Sequence, residues 1–550
     1  MTPPSTALSA DPYDVVPTFW ERHRERLAPA VAGILTAVLL VASFPPFPAH
    51  DFAYMCLVPG VLWAYTRPRF KVYAWTMFLA QAVAWTVNLE WLHPVTWVGL
   101  FLMGPFVGAW TGTWFLAAWW AMPRMIGRPT PVRLVAMLGL AGVWVVVEWT
   151  RTWLLGGFPW MPLAATQYER ISVLQIAAYT GAGGVSFVLV AVNIGIAAYA
   201  HRLFFEGQTG LRRRSQEFLL ALFLLLVCLS IQIQETTNQV FFRVPFARVA
   251  FVQPYIPARV KWVPSEAPGI VRVLETTTLE AGASGPDLIL WPESTTPWPV
   301  NTDPSMRHFV EQLSSRSKAY MLIGADAIEH PGSPHELWHN AAFVVDPLLG
   351  LQTAYYSKQK LVPFGEYVPL RPIFGWIDKF VPLEDDATPG DNPTPLVVPL
   401  NSGAVAVGVL ICYEDIFPSV AREEVRLGAD ALAVLTNDAW YGEAGAAYQH
   451  AASSVLRAVE TRRPVLRCGN GGWSGWIDEF GNIRSVMKDE GGSVYFRGTA
   501  TVDVTRDSRW VGRRSFYVEH GDWFVAACAG VALMGAFLLG QGAPPDRTGG

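Results

Sequence analysis

Eight long apolar windows constrain this chain more than any other feature. They run over residues 27–44, 52–66, 72–89, 95–122, 132–150, 176–200, 217–233 and 521–540. A helix needs roughly 18–20 apolar residues to cross a bilayer, where every backbone polar group must find a partner within the protein. The windows therefore predict a multi-span α-helical membrane domain of about eight helices. The second window is short, and the fourth carries Gly104-Pro105, where a break is expected. Charged residues make up 16% of the chain, against about 25% in soluble domains. The 24 tryptophans also suit bilayer interfaces.

Loop charges orient the windows. Basic residues cluster at the N-terminus (Arg22, Arg24, Arg26) and after the second, fourth and sixth windows: Arg67, Arg69, Lys71; Arg124, Arg128, Arg133; and Arg202, Arg212, Arg213, Arg214. The loops after the first and third windows have no Lys or Arg, and the one after the fifth has only Arg151 and Arg170. Cytoplasmic loops retain basic residues, so both termini are expected inside. This predicts a cytoplasmic segment over 1–26, seven spans within 27–234, an outward-facing domain over 245–510, an eighth span over 521–540 and a cytoplasmic tail over 541–550. The first window follows an Arg-rich stretch and ends in Pro45-Pro46, which reads as a permanent anchor rather than a cleaved signal.

The outer segment has a different pattern. Arg248–Gln253, Asp287–Trp291, Val405–Cys412, Ala431–Thr436 and Gly498–Val504 read as buried strands. Ser305–Ser315 and Ala451–Thr461 read as helices between them, so an α/β domain with helix-covered sheets is expected. A net charge of −4 gives no argument for a nucleic-acid partner. The five cysteines show no CxxC pair and no Cys/His ligand spacing, so neither a zinc site nor a disulfide framework is expected. No cofactor is implied. Cys56, Cys228 and Cys528 lie in apolar runs and read as small buried hydrophobes, and Cys468 reads as a packed thiol.

Three residues at the edges of apolar runs can do chemistry. Cys412 ends Val405–Ile411 and precedes Tyr413-Glu414-Asp415; a strand end fixes the direction of a thiol. Glu293 follows Leu288-Ile289-Leu290-Trp291-Pro292. Lys358 follows Tyr355-Tyr356-Ser357, with Lys360 as a rival two residues on. Each alone has a bland alternative: a core cysteine, a solvated acid, a surface lysine. Together they supply a nucleophile, a base and an oxyanion stabiliser.

With Thr436-Asn437-Asp438-Ala439-Trp440-Tyr441-Gly442 and Arg457-Ala458-Val459-Glu460 in the same order, residues 245–505 resemble the nitrilase (carbon–nitrogen hydrolase) superfamily. That resemblance implies an α-β-β-α sandwich and the triad Glu293, Lys358 and Cys412. The run Tyr356–Pro369 narrows it, as do Glu148-Trp149-Thr150-Arg151-Thr152-Trp153, Gly157-Phe158-Pro159-Trp160, Gly181, Ser186-Phe187, Asn193, Tyr517 and Gly521-Asp522-Trp523-Phe524. Over nearly its whole length the chain resembles the apolipoprotein N-acyltransferase family.

The resemblance implies Glu366, Tyr413 and Glu414 as supporting site residues. It further implies a phospholipid acyl donor, a diacylglyceryl-cysteine apolipoprotein acceptor, a thioester on Cys412, and a monomer in the bacterial inner membrane with its catalytic domain in the periplasm. Trp298 and the aromatics near Trp473 are candidates for lining an acyl channel or for packing. Competing readings are a membrane-tethered amidase with water as acceptor, and a transporter or scaffold with an inactive domain.

Overall fold

The computed structural model describes residues 19–205, 214–261, 263–368, 371, 386–391, 393–400 and 403–541, with side chains from residue 27 onward. The Arg22, Arg24, Arg26, Arg212 and Arg213 side chains, Pro369 of the Tyr356–Pro369 run, and nearly all of the 541–550 tail lie outside the described residues.

Seven of the windows form helices: α1 (Phe19–Ser43), α3 (Phe70–Asn88), α4 (Trp97–Met125), α5 (Thr130–Thr150), α6 (Ala182–Phe205), α7 (Gln216–Thr236) and, at the far end of the chain, α12 (Trp523–Gly540). Five of them, α4 to α7 and α12, are long and apolar enough to cross a membrane. The second window instead folds as a short 3-10 helix, His50–Tyr54, and α2 (Val58–Tyr65). Eight residues of helix rise only about 12 Å, so this segment covers its distance largely as irregular chain. Pro59 and Gly60 sit in its first turn.

Such a segment leaves backbone groups unpaired, and neighbouring side chains supply partners. Asn193 of α6 accepts from the Leu57 N–H (2.7 Å) and donates to the Ala53 carbonyl (2.7 Å). Thr36 accepts from Gly60 N–H (3.1 Å), and Tyr73 donates to the Gly60 carbonyl (3.0 Å). Irregular backbone at membrane depth persists only where protein buries it in this way.

Gly104-Pro105 does not break α4, contrary to the expectation from sequence. The spacing Gly104, Gly108, Gly112 instead gives α4 a seam without side chains, packed on α3. A Cβ at Gly104 would lie 2.6 Å from the Thr86 Cα, and one at Gly108 would lie 2.8 Å from the Ala82 nitrogen. Small residues allow this close approach, which stands in for a hydrophobic driving force between helices in lipid.

Contacts at the helix ends define two sides of the block. Pro45 and Asn88 carbonyls, Glu235, and the Ala182 N–H all bond to the second domain or to the connections beside it. On the opposite side Trp119 donates to the Pro68 carbonyl (2.9 Å), Arg133 pairs with Glu217 (2.8 Å), and Arg128 donates to the Leu539 carbonyl (3.2 Å).

The second domain holds two six-stranded sheets. The first is ordered β12 (Gly498–Asp507), β1 (Arg243–Gln253), β2 (Leu288–Leu290), β3 (Tyr320–Glu329), β4 (Leu337–Asp346), β5 (Gly350–Ser357). The second is β11 (Ile483–Val486), β10 (Gly475–Ile477), β9 (Val465–Gly469), β8 (Ala431–Thr436), β7 (Gly403–Ile411), β6 (Leu396–Leu400). Phe251, Leu290 and Val344 of the first meet Val409, Leu435 and Leu466 of the second in one core. Helices α8 (Ala267–Gly282) and α9 (Pro304–Ser317) cover the first sheet through Leu274, Val310 and Leu313. Helices α10 (Pro418–Arg426) and α11 (Ala446–Thr461) cover the second, which completes the expected four-layer sandwich.

The sequence suggested a helix of mixed polarity at Ala451–Thr461, and α11 is buried on every side but Tyr448. The reason is its place between the second sheet and the membrane block: Val455, Leu456 and Val459 share one core with Leu174, Val185 and Trp160.

Candidate active site

Three strand ends deliver the site. Parallel pairing of β7 with β8 stops at Ile411–Leu435, and Cys412 leaves the sheet with φ of +49°. A non-glycine residue in the left-handed region costs of order 1–3 kcal/mol and persists only where its surroundings hold it. Residues Cys412–Ile416 form a 3-10 turn in which Cys412 is 7% exposed.

Glu414 ties this turn to the segment bearing Lys358. One carboxylate oxygen accepts from Ile411 N–H (2.8 Å) and the Tyr356 hydroxyl (2.9 Å). The other accepts from Gln359 N–H (2.6 Å) and Lys360 N–H (3.1 Å). Burial pushes the Glu414 pKa up to about 7, against the pull of those N–H groups and the Lys358 charge.

Glu293, just past β2, bridges the two sheets. Its Oε1 accepts from Lys358 Nζ (3.0 Å) and Asn340 Nδ2 (2.8 Å), and its Oε2 from Asn437 N–H (3.1 Å) in the second sheet's loop. Lys358, just past β5, also donates to Glu366 (2.9 Å), while Glu366 takes Asn340 Nδ2 (2.9 Å) and Val362 N–H (2.8 Å). An ammonium has three donors, so one remains for an incoming oxygen. The rival Lys360 is exposed, its ammonium lying 5.9 Å from the Phe417 ring.

The electrostatics assign the resting proton. Burial raises the Glu293 pKa, but the Lys358 charge and hydrogen bonds from Lys358, Asn340 and the Cys412 thiol outweigh it and hold the group below the usual carboxylate range. Burial, then the Glu293 charge, pushes the Cys412 thiol well up, with Lys358 and a Thr436 hydrogen bond pulling the other way. For Lys358, burial lowers the pKa, yet Glu293, Glu366 and Cys412 raise it well above its ordinary value. These directions leave the three groups as thiol, carboxylate and ammonium at neutral pH.

The membrane block roofs this turn. The Tyr413 hydroxyl donates to the Gly157 carbonyl (2.8 Å), and the Phe158 and Tyr413 rings stack at 6.3 Å. A Cβ at Gly157 would lie 2.5 Å from the Thr152 carbonyl oxygen, and its φ of +81° also requires glycine. Thus all six expected residues, Glu293, Lys358, Cys412, Glu366, Tyr413 and Glu414, meet at one end of the sandwich. Glu148 and Arg151 do not bond each other. Glu148 accepts from Leu163 N–H (2.8 Å) and Ser186 (2.7 Å), and Arg151 donates to the Trp160 carbonyl. Trp298 is half-exposed, Trp473 is buried, and Cys468 donates from the sandwich core to the Val252 and Leu290 carbonyls (both 3.3 Å).

Sequence reasoning missed Asn340, which holds both glutamates, and Lys261, a second buried lysine facing Asp326, Glu293 and Glu366. It also missed Gln449 and His450. Asn437 lay in a quoted motif and so had a signal; Asn340, midway along β4, had none.

The fold and the site together define a carbon–nitrogen hydrolase domain joined to a helical membrane block. The Carbon-nitrogen hydrolase family matches residues 248–507, and the Apolipoprotein N-acyltransferase N-terminal domain matches residues 36–195. The chain is 31% identical to the apolipoprotein N-acyltransferase of Geobacter metallireducens, over 92% of this chain and 94% of that one. Those of Chlorobaculum tepidum (27%, over 92% and 95%) and Gloeobacter violaceus (30%, over 96% and 98%) are also similar. The chain belongs to the apolipoprotein N-acyltransferase family and is an enzyme.

Proposed function

We propose that the enzyme N-acylates the N-terminal S-diacylglyceryl-cysteine of apolipoproteins, taking the acyl chain from a phospholipid through a Cys412 thioester. The observation that carries this reading is the resting state of the site. A protonated Cys412 acts on an ionised Glu293 that holds the Lys358 ammonium at 3.0 Å, and that ammonium keeps one donor unused.

In the first half-reaction Glu293 takes the thiol proton as sulfur attacks the ester carbonyl. The oxyanion is met by the third Lys358 N–H and the Tyr413 backbone N–H; such a donor is worth about 3–4 kcal/mol. Collapse breaks the ester C–O bond, Glu293 returns the proton to the departing alkoxide, and a lysophospholipid leaves. In the second half the α-amine of the diacylglyceryl-cysteine attacks the thioester. Glu293 takes the amine proton, the C–S bond breaks, and the thiol is restored as the amide forms.

The proposal includes eight bilayer crossings, with both termini in the cytoplasm and the catalytic domain in the periplasm of the inner membrane. It also includes action as a monomer. Supporting the crossings, chain segments 44–69, α1, α3 to α7 and α12 run in turn between the domain side and the opposite side. Supporting the monomer, one chain supplies every residue of the site.

The test is to incubate membranes with acyl-labelled phospholipid and map the label. Hydroxylamine-sensitive label on Cys412, lost in Cys412→Ser together with all transfer, is expected. Label on another residue, with none on Cys412, overturns the scheme.

A further inference from the structure

Behind Cys412, away from Glu293, lies a second cluster of charged groups that the reaction above does not use. His450 of α11 sets Nε2 at 3.0 Å from the Cys412 carbonyl oxygen and Nδ1 at 3.0 Å from Asp438 Oδ1. Arg467 of β9 joins Asp438 (3.0 Å) to Asp415 (3.1 Å), which also accepts from Ser454 (2.6 Å) and lies 3.9 Å from His450 Nε2. None of His450, Asp415, Asp438 or Arg467 is more than 1% exposed.

The residue before His450 faces the other way. Gln449 Nε2 donates to the Pro45 (3.0 Å) and Asn88 (2.9 Å) carbonyls, and its Oε1 accepts from Trp91 (2.9 Å) and Trp160 (2.8 Å) indole N–H groups. These partners come from the end of α3 and from the connections after α1, α3 and α5. An amide has two donors and two acceptor lone pairs, and all four are used.

We infer that Gln449 and His450 form a positioning pair for the nucleophile, with Gln449 registering the membrane block and His450, held as an imidazolium, fixing the Cys412 carbonyl. Two arguments give the charge. A carbonyl oxygen only accepts, so Nε2 carries a proton. Asp438 is buried, yet the Arg467 charge 3.0 Å away holds its pKa far below the carboxylate range, so Nδ1 also faces a pure acceptor and carries a proton. Charge balance agrees: two buried carboxylates and one guanidinium leave −1 unless the ring is cationic, and an uncompensated buried charge is costly. The Trp160 ring, 5.3 Å away, offers a further face to a cation.

The pair thus holds the left-handed Cys412 backbone from outside the sandwich. Its charge also offsets that of Asp438, which otherwise raises the thiol pKa against the pull of Lys358.

This inference rests on Cys412 being the nucleophile, so its test reads the thiol chemically and not through transfer alone. The full chain in detergent is alkylated with iodoacetamide across pH, and the Cys412 peptide is quantified by mass spectrometry. The titratable groups acting on that thiol are Glu293, Lys358, Asp438 and Tyr441, with His450 at the carbonyl of the same residue. His450→Gln keeps an N–H for the Cys412 carbonyl and removes the charge. Its alkylation profile is expected to move up by about one pH unit, with kcat down about tenfold and KM unchanged, since one unit corresponds to a factor of ten. Gln449→Leu is expected to slow alkylation at every pH without moving the profile.

A His450→Gln profile that coincides with the wild type overturns the charge assignment. Full kcat in Gln449→Leu overturns the registering role. Should His450→Gln fail to fold, 15N-histidine spectra of the wild type decide instead. Both His450 nitrogens are expected to carry protons, and a neutral tautomer overturns the inference. If the acyl label falls elsewhere than on Cys412 while the profile shifts as expected, it is the proposed reaction that fails.

Discussion

Two charged clusters flank Cys412, and they differ in what they leave unfinished. In front, Lys358 bonds two carboxylates and keeps a third donor. Behind, His450, Arg467, Asp438 and Asp415 pair with one another, and the atoms they leave over, Asp415 Oδ1 and Arg467 Nε, are buried. In the proposed reaction the front cluster exchanges a proton and receives an oxyanion, for which the free Lys358 donor is spare capacity. On the positioning role inferred above the rear cluster keeps one charge state, and its ion pairs in a low dielectric favour that state. Burial is common to both, and what sets the front cluster apart is that its unused donor belongs to Lys358, the cation that acts on the Cys412 thiol.

The comparison is broken most sharply by Lys358→Met. It removes the spare donor and leaves Glu293 and Glu366 to repel each other. Acyl transfer is expected to fall by at least about a hundredfold, since a single oxyanion donor contributes about 10²–10³ in rate. Near-wild-type turnover in a phospholipid-to-lipopeptide assay would show that the donor lies elsewhere.

Arg467→Met attacks the rear cluster and should act through folding instead. Breaking a buried pair by deleting one partner costs about 3–5 kcal/mol. A fall in Tm well beyond that of an exposed control such as Arg426→Met is expected. Asn340→Ala should be milder, lowering kcat about tenfold by releasing both glutamates, with Tm changed little.

The smallest effect sharpens the contrast. Glu424 of α10 is a buried acid with neither kind of partner: both its carboxyl oxygens lack hydrogen bonds. Burial, then the Glu414 and Glu423 charges, pushes its pKa up to about 8. The folded state then holds a proton that the unfolded chain releases at ordinary acid pKa. Stability contributed by this group is present at low pH and falls as pH rises from about 4.5 to 8. Glu424→Gln should raise Tm by a few degrees at pH 8.5 and hardly at all at pH 5. An equal shift at both pH values would mean the side chain is ionised throughout or never.

Much of this was legible in the chain, and the failures have physical causes. Cys412, Glu293 and Lys358 follow apolar strands, so their positions could be read from local pattern and order. The strand windows found β1, β2, β7, β8 and β12. They missed β4, where Trp338, His339 and Asn340 interrupt the apolar alternation because that end of the strand faces the site. Gln449 was invisible because its partners lie between 289 and 404 residues away in sequence. The second apolar window was legible as hydrophobic but not as irregular, since Asn193, Thr36 and Tyr73 satisfy its backbone from distant helices.

Chain order gives the Gln449 contacts a further meaning. Pro45, Asn88, Trp91 and Trp160 are all synthesised before Gln449. N-terminal units generally fold first as a chain emerges. When α11 forms, the three connections it must engage are already made, and of the long apolar helices only α12 remains to be added. On the positioning role inferred above, the thiol is set by the arrival of a finished scaffold, and a truncated or misinserted chain carries the reactive residues without the conformation that arms them.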